Sequence, residues 1–343
     1  MKTRAVALAA LLATVGRPSW WVIALAGFLV RGGVLLFVLA TVSLPSPLVV
    51  SNIVAPLIVP LALGHLDGPT LSLIALAVGT VAIWLFGGSW LAASTEVALI
   101  RDAHQAMADE GLAARPLVPP RRWLSLRVAT AHLLAHLPTV AILAVGAVRI
   151  VSVAYVELTN PFEVTTPLVL RVIVGAARPI AAILAVWLFD EILGGLAARR
   201  IVIDGASVVG GLRGAVGAMI RRPFATLVPA VATALLLAID LAALLGAVAF
   251  TVAQAGARLD DAAIDPPILL LSLLALGASW IGALALTGLV DAWRSAAMTF
   301  EVGRSRFEAA AATDPAPDLG GTVGVSPDRR PGDWSTGGRG GSL

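Results

Sequence analysis

The sequence predicts an all-α integral membrane protein, built as a bundle of six transmembrane helices. Of its 343 residues, 58% are hydrophobic and 13% are charged, whereas about half of a soluble domain is apolar and about a quarter is charged. The mean hydropathy is +0.92. Six segments provide the roughly 20 apolar residues that a helix needs to cross a bilayer. A soluble fold could not bury this much apolar surface, so that class is excluded.

The predicted spans follow one another along most of the chain. They cover residues 20–42, 70–96, 137–156, 179–196, 224–252 and 267–291. Ahead of the first span, an apolar segment at 5–16 follows Lys2 and Arg4 and imitates a secretory signal peptide. A complete span follows it, and no small-residue cleavage site separates the two. We therefore predict an uncleaved helix that lies in the membrane or at its interface.

The loop at 43–69 is apolar but contains five prolines. Proline interrupts a helix, and irregular backbone at membrane depth is tolerated only against protein or beside a cavity. Two interpretations stay open, namely a short cap on the outer face and a re-entrant hairpin that lines a pathway.

Composition divides the chain into two regions. Residues 1–305 are predicted to form the six-span membrane domain. Pro, Gly and Asp become frequent from about Thr313, and such a sequence cannot bury enough apolar surface to offset the entropy of ordering it. Residues 306–343 are therefore predicted to be a disordered cytoplasmic tail.

The distribution of basic residues predicts the orientation. Sixteen Lys and Arg residues fall in 1–19, 99–134, 197–222 and 292–306, on one side of the predicted membrane. Three fall in 43–69, 157–178 and 253–266, on the other side. Because cytoplasmic loops are enriched in Lys and Arg, both termini are predicted to be cytoplasmic, in a bacterial plasma membrane.

Self-alignment predicts three repeats of one unit, in which a short helix precedes a two-span hairpin. A proline follows each short helix, at Pro18, Pro138 and Pro223. Each hairpin ends near the inner face with an acid, at Glu96, Glu191 and Asp291. All three inner-face acids are predicted to lie near that surface, and Glu96 and Asp291 are expected to be hydrated.

Four further charges fall inside the predicted spans: Arg31, Asp240, Arg149 and Asp190. A charge at membrane depth is costly, so it usually faces the bundle interior and has a partner. One interpretation pairs Arg31 with Asp240 as a structural ion pair. The other makes all four residues an intramembrane polar centre that contacts an ion, a proton or an anionic headgroup.

Most other site chemistries lack a signal in the sequence. His132 and His136 have the i, i+4 spacing of two metal ligands on one helix face, but no third ligand is evident, so interfacial or packing histidines are expected instead of a metal site. The chain contains no cysteine, no recognisable catalytic motif and no basic stripe of a nucleic-acid-binding surface. We predict no cofactor, no metal, no nucleic-acid partner and no enzymatic activity.

The repeated unit resembles a group of bacterial six-helix membrane proteins that are similar to the membrane domain accompanying some glycerophosphodiester phosphodiesterases. The resemblance covers residues 1–305. It is carried by Arg17-Pro18, Glu96, Asp190-Glu191, Arg199-Arg200, Arg222-Pro223 and Asp291. The soluble phosphodiesterase domain of those enzymes is absent, so the resemblance implies no catalytic residue here.

Three functions are compatible with this sequence. The intramembrane charges, the proline-rich loop and the repeats favour a transport-like or permease-like protein. Small-residue helix faces and the tail favour a membrane scaffold or a partner-binding subunit. The third alternative is a lipid-handling membrane enzyme. The expected partners are the lipid bilayer and either other membrane subunits or further copies of the same chain.

Overall fold

The computed structural model describes residues 3–41, 67–110, 123–159, 168–221, 223–260 and 266–313. Over these residues the chain is helical and contains no strand, which confirms the predicted all-α class. The helices are α1 Thr3–Val15, α2 Pro18–Phe28, α3 Val34–Thr41, α4 Gly68–Ile83, α5 Ser89–Asp109, α6 Leu124–Ala135, α7 Leu137–Thr159, α8 Leu168–Gly175, α9 Ala177–Asp204, α10 Val208–Arg221, α11 Pro223–Asp260 and α12 Pro266–Thr313. Two π-helical segments, Leu29–Gly33 and Trp84–Gly88, join α2 to α3 and α4 to α5.

Six stretches of the described residues are long and apolar enough to cross a membrane, as predicted. Spans 1 to 6 are Pro18–Val38, Gly68–Asp109, Leu137–Glu157, Ala177–Asp204, Thr226–Ala257 and Pro266–Arg306. A proline lies in the first turn of the helix that opens each span: Pro18, Pro69, Pro138, Pro179, Pro223 and Pro266. Proline suits this position because its fixed φ is helical and the N–H that it lacks would have no partner there.

Three short helices, α1, α6 and α10, each precede an odd-numbered span and lie at one end of the bundle, which we call the short-helix end. Helix α1 is held there by two tryptophans. Trp21 Nε1 donates to the carbonyl of Thr14 at 2.8 Å, and Trp293 Nε1 donates to the carbonyl of Ala7 at 3.0 Å. Gly205, at φ 64°, ends α9 and turns the chain into α10, a left-handed conformation that glycine adopts without steric cost.

Most of the tightly packed core lies at the short-helix end. One cluster joins α5, α6, α9 and α10 around Ile100, Val128 and Ile201, and a second joins α1, α2, α5 and α12 around Ala10 and Trp20. The distant halves of the spans instead expose large apolar side chains, such as Leu76, Val145 and Leu271. Because apolar surface of this extent is unfavourable in water, these halves fit contact with lipid.

Three predicted boundaries differ from the structure. Spans 2, 4 and 6 were expected to end at 96, 196 and 291, but α5, α9 and α12 continue as helices to Asp109, Asp204 and Thr313. These extensions contain charged residues, which hydropathy excludes from a span, and they pack against the short helices. Residues 43–66 of the predicted loop and residues 314–343 of the predicted tail lie outside the described residues.

Candidate functional site

Eight ionisable side chains meet inside the bundle near the short-helix end. We call them the polar cluster: Arg31, Glu96, His132, His136, Glu191, Arg199, Asp291 and Arg294. They come from span 1, from α5, α9 and α12, and from α6 with the residue that follows it. The cluster therefore depends on the tertiary fold and corresponds to no contiguous sequence motif.

Glu96 accepts hydrogen bonds from three other segments. Its Oε2 is bound by Arg31 Nη2 and lies 2.8 Å from His132 Nε2, while its Oε1 lies 3.5 Å from Arg199 Nη1. The side chain is only 11% exposed. A carboxylate in such a position is stable only when it is well paired, so Glu96 and its three partners form an interdependent unit.

Glu191, on α9, is surrounded by donors in a similar way. Its Oε1 accepts from Arg294 Nη2 at 2.7 Å and from Arg31 Nη1 at 3.4 Å, and its Oε2 lies 3.5 Å from His136 Nε2. Arg31 thus joins the two glutamates. Because its planar guanidinium offers several donors in a fixed arrangement, it can serve both carboxylates at once.

His136 is arranged to favour its protonated form. Its Nδ1 lies 2.8 Å from the carbonyl of His132, and its Nε2 faces the Glu191 carboxylate. An imidazolium can donate from both nitrogens, whereas a neutral imidazole can donate from only one. The hydrogen bond with Glu191, aided by that with the His132 carbonyl, raises the pKa of His136 above its ordinary value.

Arg199 connects the polar cluster to the backbone of α9 and α12. It is 2% exposed and donates to the carbonyl of Gly195 at 2.6 Å. It also donates to the carbonyl of Ser295 at 3.0 Å and to the Ser295 hydroxyl at 3.1 Å. These bonds tie α9 to α12, which makes Arg199 chiefly a structural member of the polar cluster.

A cavity of about 600 Å³ adjoins the polar cluster, within the size range of small-molecule sites. Its polar end contains six members of the cluster: Arg31, His132, His136, Glu191, Asp291 and Arg294. Its remaining wall is mainly apolar and includes Phe28, Leu36, Trp84, Trp187 and Leu237. A second, smaller cavity of about 50 Å³ lies beyond Arg31, next to Glu96, Arg199 and Ser295. Arg31 therefore lies between a large amphipathic cavity and a small polar one.

Both π-helical segments contribute to the wall of the large cavity. In the first, Gly32 adopts φ 118° and ψ −4°, outside the helical range. A Cβ at Gly32 would lie 3.5 Å from the ring of Trp84, in the second segment. Such interruptions free backbone groups from the regular helix and are frequent at functional sites. Within a membrane they are tolerated where the backbone lines a cavity.

The structure brings Arg31 together with the three predicted inner-face acids, Glu96, Glu191 and Asp291. These acids were expected near the hydrated surface. They instead lie inside long helices, with Glu96 and Glu191 roughly three to four turns before the ends of α5 and α9. The pairing of Arg31 with Asp240 is wrong, because the carboxylates that Arg31 contacts are those of Glu96 and Glu191.

The other three predicted residues of the polar centre are not members of the polar cluster, although Asp190 is a neighbour of His136. Asp190 Oδ2 accepts from the backbone N–H of Thr139 at 2.9 Å and from its hydroxyl at 2.7 Å, so it caps the start of α7. Asp240 is half-buried on α11, and its Oδ2 has no hydrogen-bond partner among the described residues. Arg149 is exposed on α7.

Four members of the polar cluster were not predicted as site residues: His132, His136, Arg199 and Arg294. The histidine spacing and the arginines that follow the acids were visible in the sequence, but nothing linked them to Arg31. Within the described residues, no group of three or more His, Asp or Glu side chains could hold a metal ion. Comparisons with protein-family models, curated proteins and solved structures gave no match.

Proposed function

We propose that this chain is a multi-pass membrane protein of the transport or permease type, with its substrate site in the large cavity. The observation that carries the proposal is the lining of that cavity, which has charged groups at one end and apolar residues along the rest. Ionisable groups are rare within membrane-spanning segments and usually mark a substrate or ion pathway.

The interrupted helices support the same function. Transporters commonly bind their substrate beside helices that are broken within the membrane. Spans 1 and 2 are both interrupted where they border the cavity. The small cavity also borders Arg31, and its lining includes Ser295 and Met298.

We place the short-helix end on the cytoplasmic side of a bacterial plasma membrane, because the basic residues are concentrated in the loops and helix extensions at that end. We also propose that the three short-helix-plus-hairpin units are internal repeats. The order of α1, α6 and α10, each directly before an odd-numbered span, supports this. The resemblance to the membrane domain accompanying glycerophosphodiester phosphodiesterases stays a proposal that rests on the same residues.

Cysteine accessibility tests the proposed site in this cysteine-free chain. Ala238 and Ala243 are both exposed on α11, but only Ala238 lines the cavity, and the two residues point about 140° apart around the helix. In phosphatidylcholine nanodiscs, we expect a charged thiol reagent to modify Ala238→Cys and to leave Ala243→Cys unmodified. Equal protection of both cysteines would exclude a hydrated site.

A second candidate function, partner binding, is favoured by the exposure of α4, which packs little against the rest of the bundle. Among its residues only Thr70 is buried, and large apolar side chains are exposed around the helix, including Leu71, Leu76, Val81 and Ile83. Another subunit or a second copy of this chain could pack against this surface. Spontaneous disulfide formation between chains that carry Gly79→Cys in membranes would support that function, and purely monomeric protein would speak against self-association.

A further inference from the structure

We propose that the ligand of the large cavity is a lipid-like amphiphile with an anionic headgroup. The headgroup contacts Arg31 at the polar end of the cavity, and the acyl chain lies along its apolar wall. This inference rests on the proposed function, because it names the class of molecule that the same site binds.

The charges that line the cavity favour an anion. Four side chains there can be positive, namely Arg31, Arg294, His132 and His136, and two can be negative, namely Glu191 and Asp291. Both oxygens of Glu191 already face donors from neighbouring side chains. Arg31 is also paired, with Glu96 and Glu191, but its side chain stays 36% exposed whereas that of Glu191 is 13% exposed, so the more accessible of the two groups is the cation.

Arg31 is the group best placed to bind the anion. Its side chain is 36% exposed, more than any other charged side chain that lines the cavity. A guanidinium also matches the geometry of a phosphate through paired hydrogen bonds. Arg294 donates to the same Glu191 oxygen as Arg31 and adds positive charge nearby.

The apolar wall indicates that the anion carries a hydrocarbon chain. Leu36, Trp84, Leu85 and Trp187 line the cavity and are each more than 40% exposed. They lie on spans 1, 2 and 4, so three different spans contribute to this apolar wall. A small polar solute would find few hydrogen-bond partners along this wall, whereas an acyl chain would be favourably buried there.

Native mass spectrometry of the purified full-length chain tests this inference. The probes are phosphatidylglycerol, phosphatidylcholine with the same acyl chains, and soluble glycerol phosphate. We expect phosphatidylglycerol to bind most tightly. Arg31→Gln should weaken that binding by about tenfold or more, because a charge-assisted contact is lost. Arg213→Gln, at an exposed position on α10 away from the cavity, is the matched control and should leave binding unchanged.

A second pair of variants keeps the test independent of the ion pairs of Arg31. Ala238→Trp should fill the apolar part of the cavity and weaken phosphatidylglycerol binding by a similar factor, whereas Ala243→Trp should not. Equal affinity for phosphatidylcholine would overturn the anionic headgroup. Glycerol phosphate binding as tightly as the lipid, with no effect of Ala238→Trp, would overturn the acyl chain. Either result leaves the proposed site intact if the charged thiol reagent modifies Ala238→Cys in phosphatidylcholine nanodiscs. If that cysteine is not modified there, the proposed site itself is wrong.

Discussion

Glu96 is the residue on which the polar cluster most depends, since Arg31, His132 and Arg199 all contact its carboxylate. Substitution by glutamine keeps the size of the side chain but removes the charge. Arg199, which is nearly inaccessible to solvent, would then lose its ion pair. Removal of one partner of a buried pair costs about 3–5 kcal/mol.

We therefore expect Glu96→Gln to be less stable than the wild type by about that amount, measured by thermal unfolding of the purified protein in detergent. Asp109→Asn is the matched control on the same helix, because Asp109 is exposed at the end of α5. Its effect should lie within about 0.5 kcal/mol of zero. Similar stability of the two variants would mean that the carboxylate of Glu96 is not the centre of the network.

His136 gives a prediction about pH. Its pKa is raised in the folded protein, mainly by the hydrogen bond with Glu191, above an ordinary value of about 6.5. A raised pKa means that the folded state binds the proton more tightly than the unfolded state does. The resulting stabilisation is complete below about pH 6.5 and is lost as the pH rises through the raised value.

The melting temperature of the wild type should accordingly fall as the pH rises from about 6 to about 9. His136→Gln should reduce this dependence, because glutamine does not titrate. Glu191 and Asp190, two carboxylates that act on His136, remain in the variant. An unchanged slope in His136→Gln would show that this histidine is not the source of the effect.

At the scale of elements, the contact between span 1 and span 6 depends on one glycine. A Cβ at Gly288 would lie 2.6 Å from the carbonyl oxygen of Trp21 and 3.2 Å from the Cβ of Leu25. The first of these neighbours is backbone, which cannot turn aside as a flexible side chain can. Small residues at helix contacts allow this close approach within membranes.

Gly288→Ala should therefore push the two spans apart and destabilise the protein by about 1–3 kcal/mol. Gly277→Ala lies on the same helix, where a Cβ would meet no atom within 4 Å. It should be neutral or stabilising by up to about 1 kcal/mol, because alanine favours a helix more than glycine does. Thermal unfolding compares the two, and equal losses would argue against a close contact at Gly288.

The six spans could be predicted because a long apolar segment has few alternatives to crossing the bilayer. The ends of spans 2, 4 and 6 could not, because the helices continue as charged segments that are stabilised by packing on the short helices. A hydropathy pattern detects only the apolar part of such a helix. The prediction from hydropathy therefore placed Glu96 and Asp291 near the inner surface of the membrane, although the fold surrounds them with protein.

The site was only partly predictable for a similar reason. The cost of an intramembrane charge correctly indicates that Arg31 needs a partner. The partner depends on which helices are neighbours, and a single sequence does not contain that information. Asp190 and Glu191 illustrate the difficulty. They are adjacent and alike, yet about 100° of helical rotation between them leaves one capping α7 and the other in the polar cluster.

At the scale of the whole molecule, the proposed orientation places the two ends of the bundle on opposite sides of the membrane. Gln105 is exposed near the short-helix end, and Thr159 is exposed at the far end of span 3. In intact bacterial cells, a membrane-impermeant maleimide should label Thr159→Cys at once and Gln105→Cys only after lysis. The reverse pattern would invert the orientation.

The whole molecule is a bundle that packs tightly at one end and opens into an amphipathic cavity above its charged network. Electron cryomicroscopy of the chain in phosphatidylglycerol nanodiscs tests this description most directly. We predict that the guanidinium of Arg31 lies between Glu96 and Glu191, and that elongated density in the cavity has its head within hydrogen-bond distance of Arg31. A map in which spans 1, 2, 4 and 5 close against one another, or in which Arg31 pairs elsewhere, would contradict it.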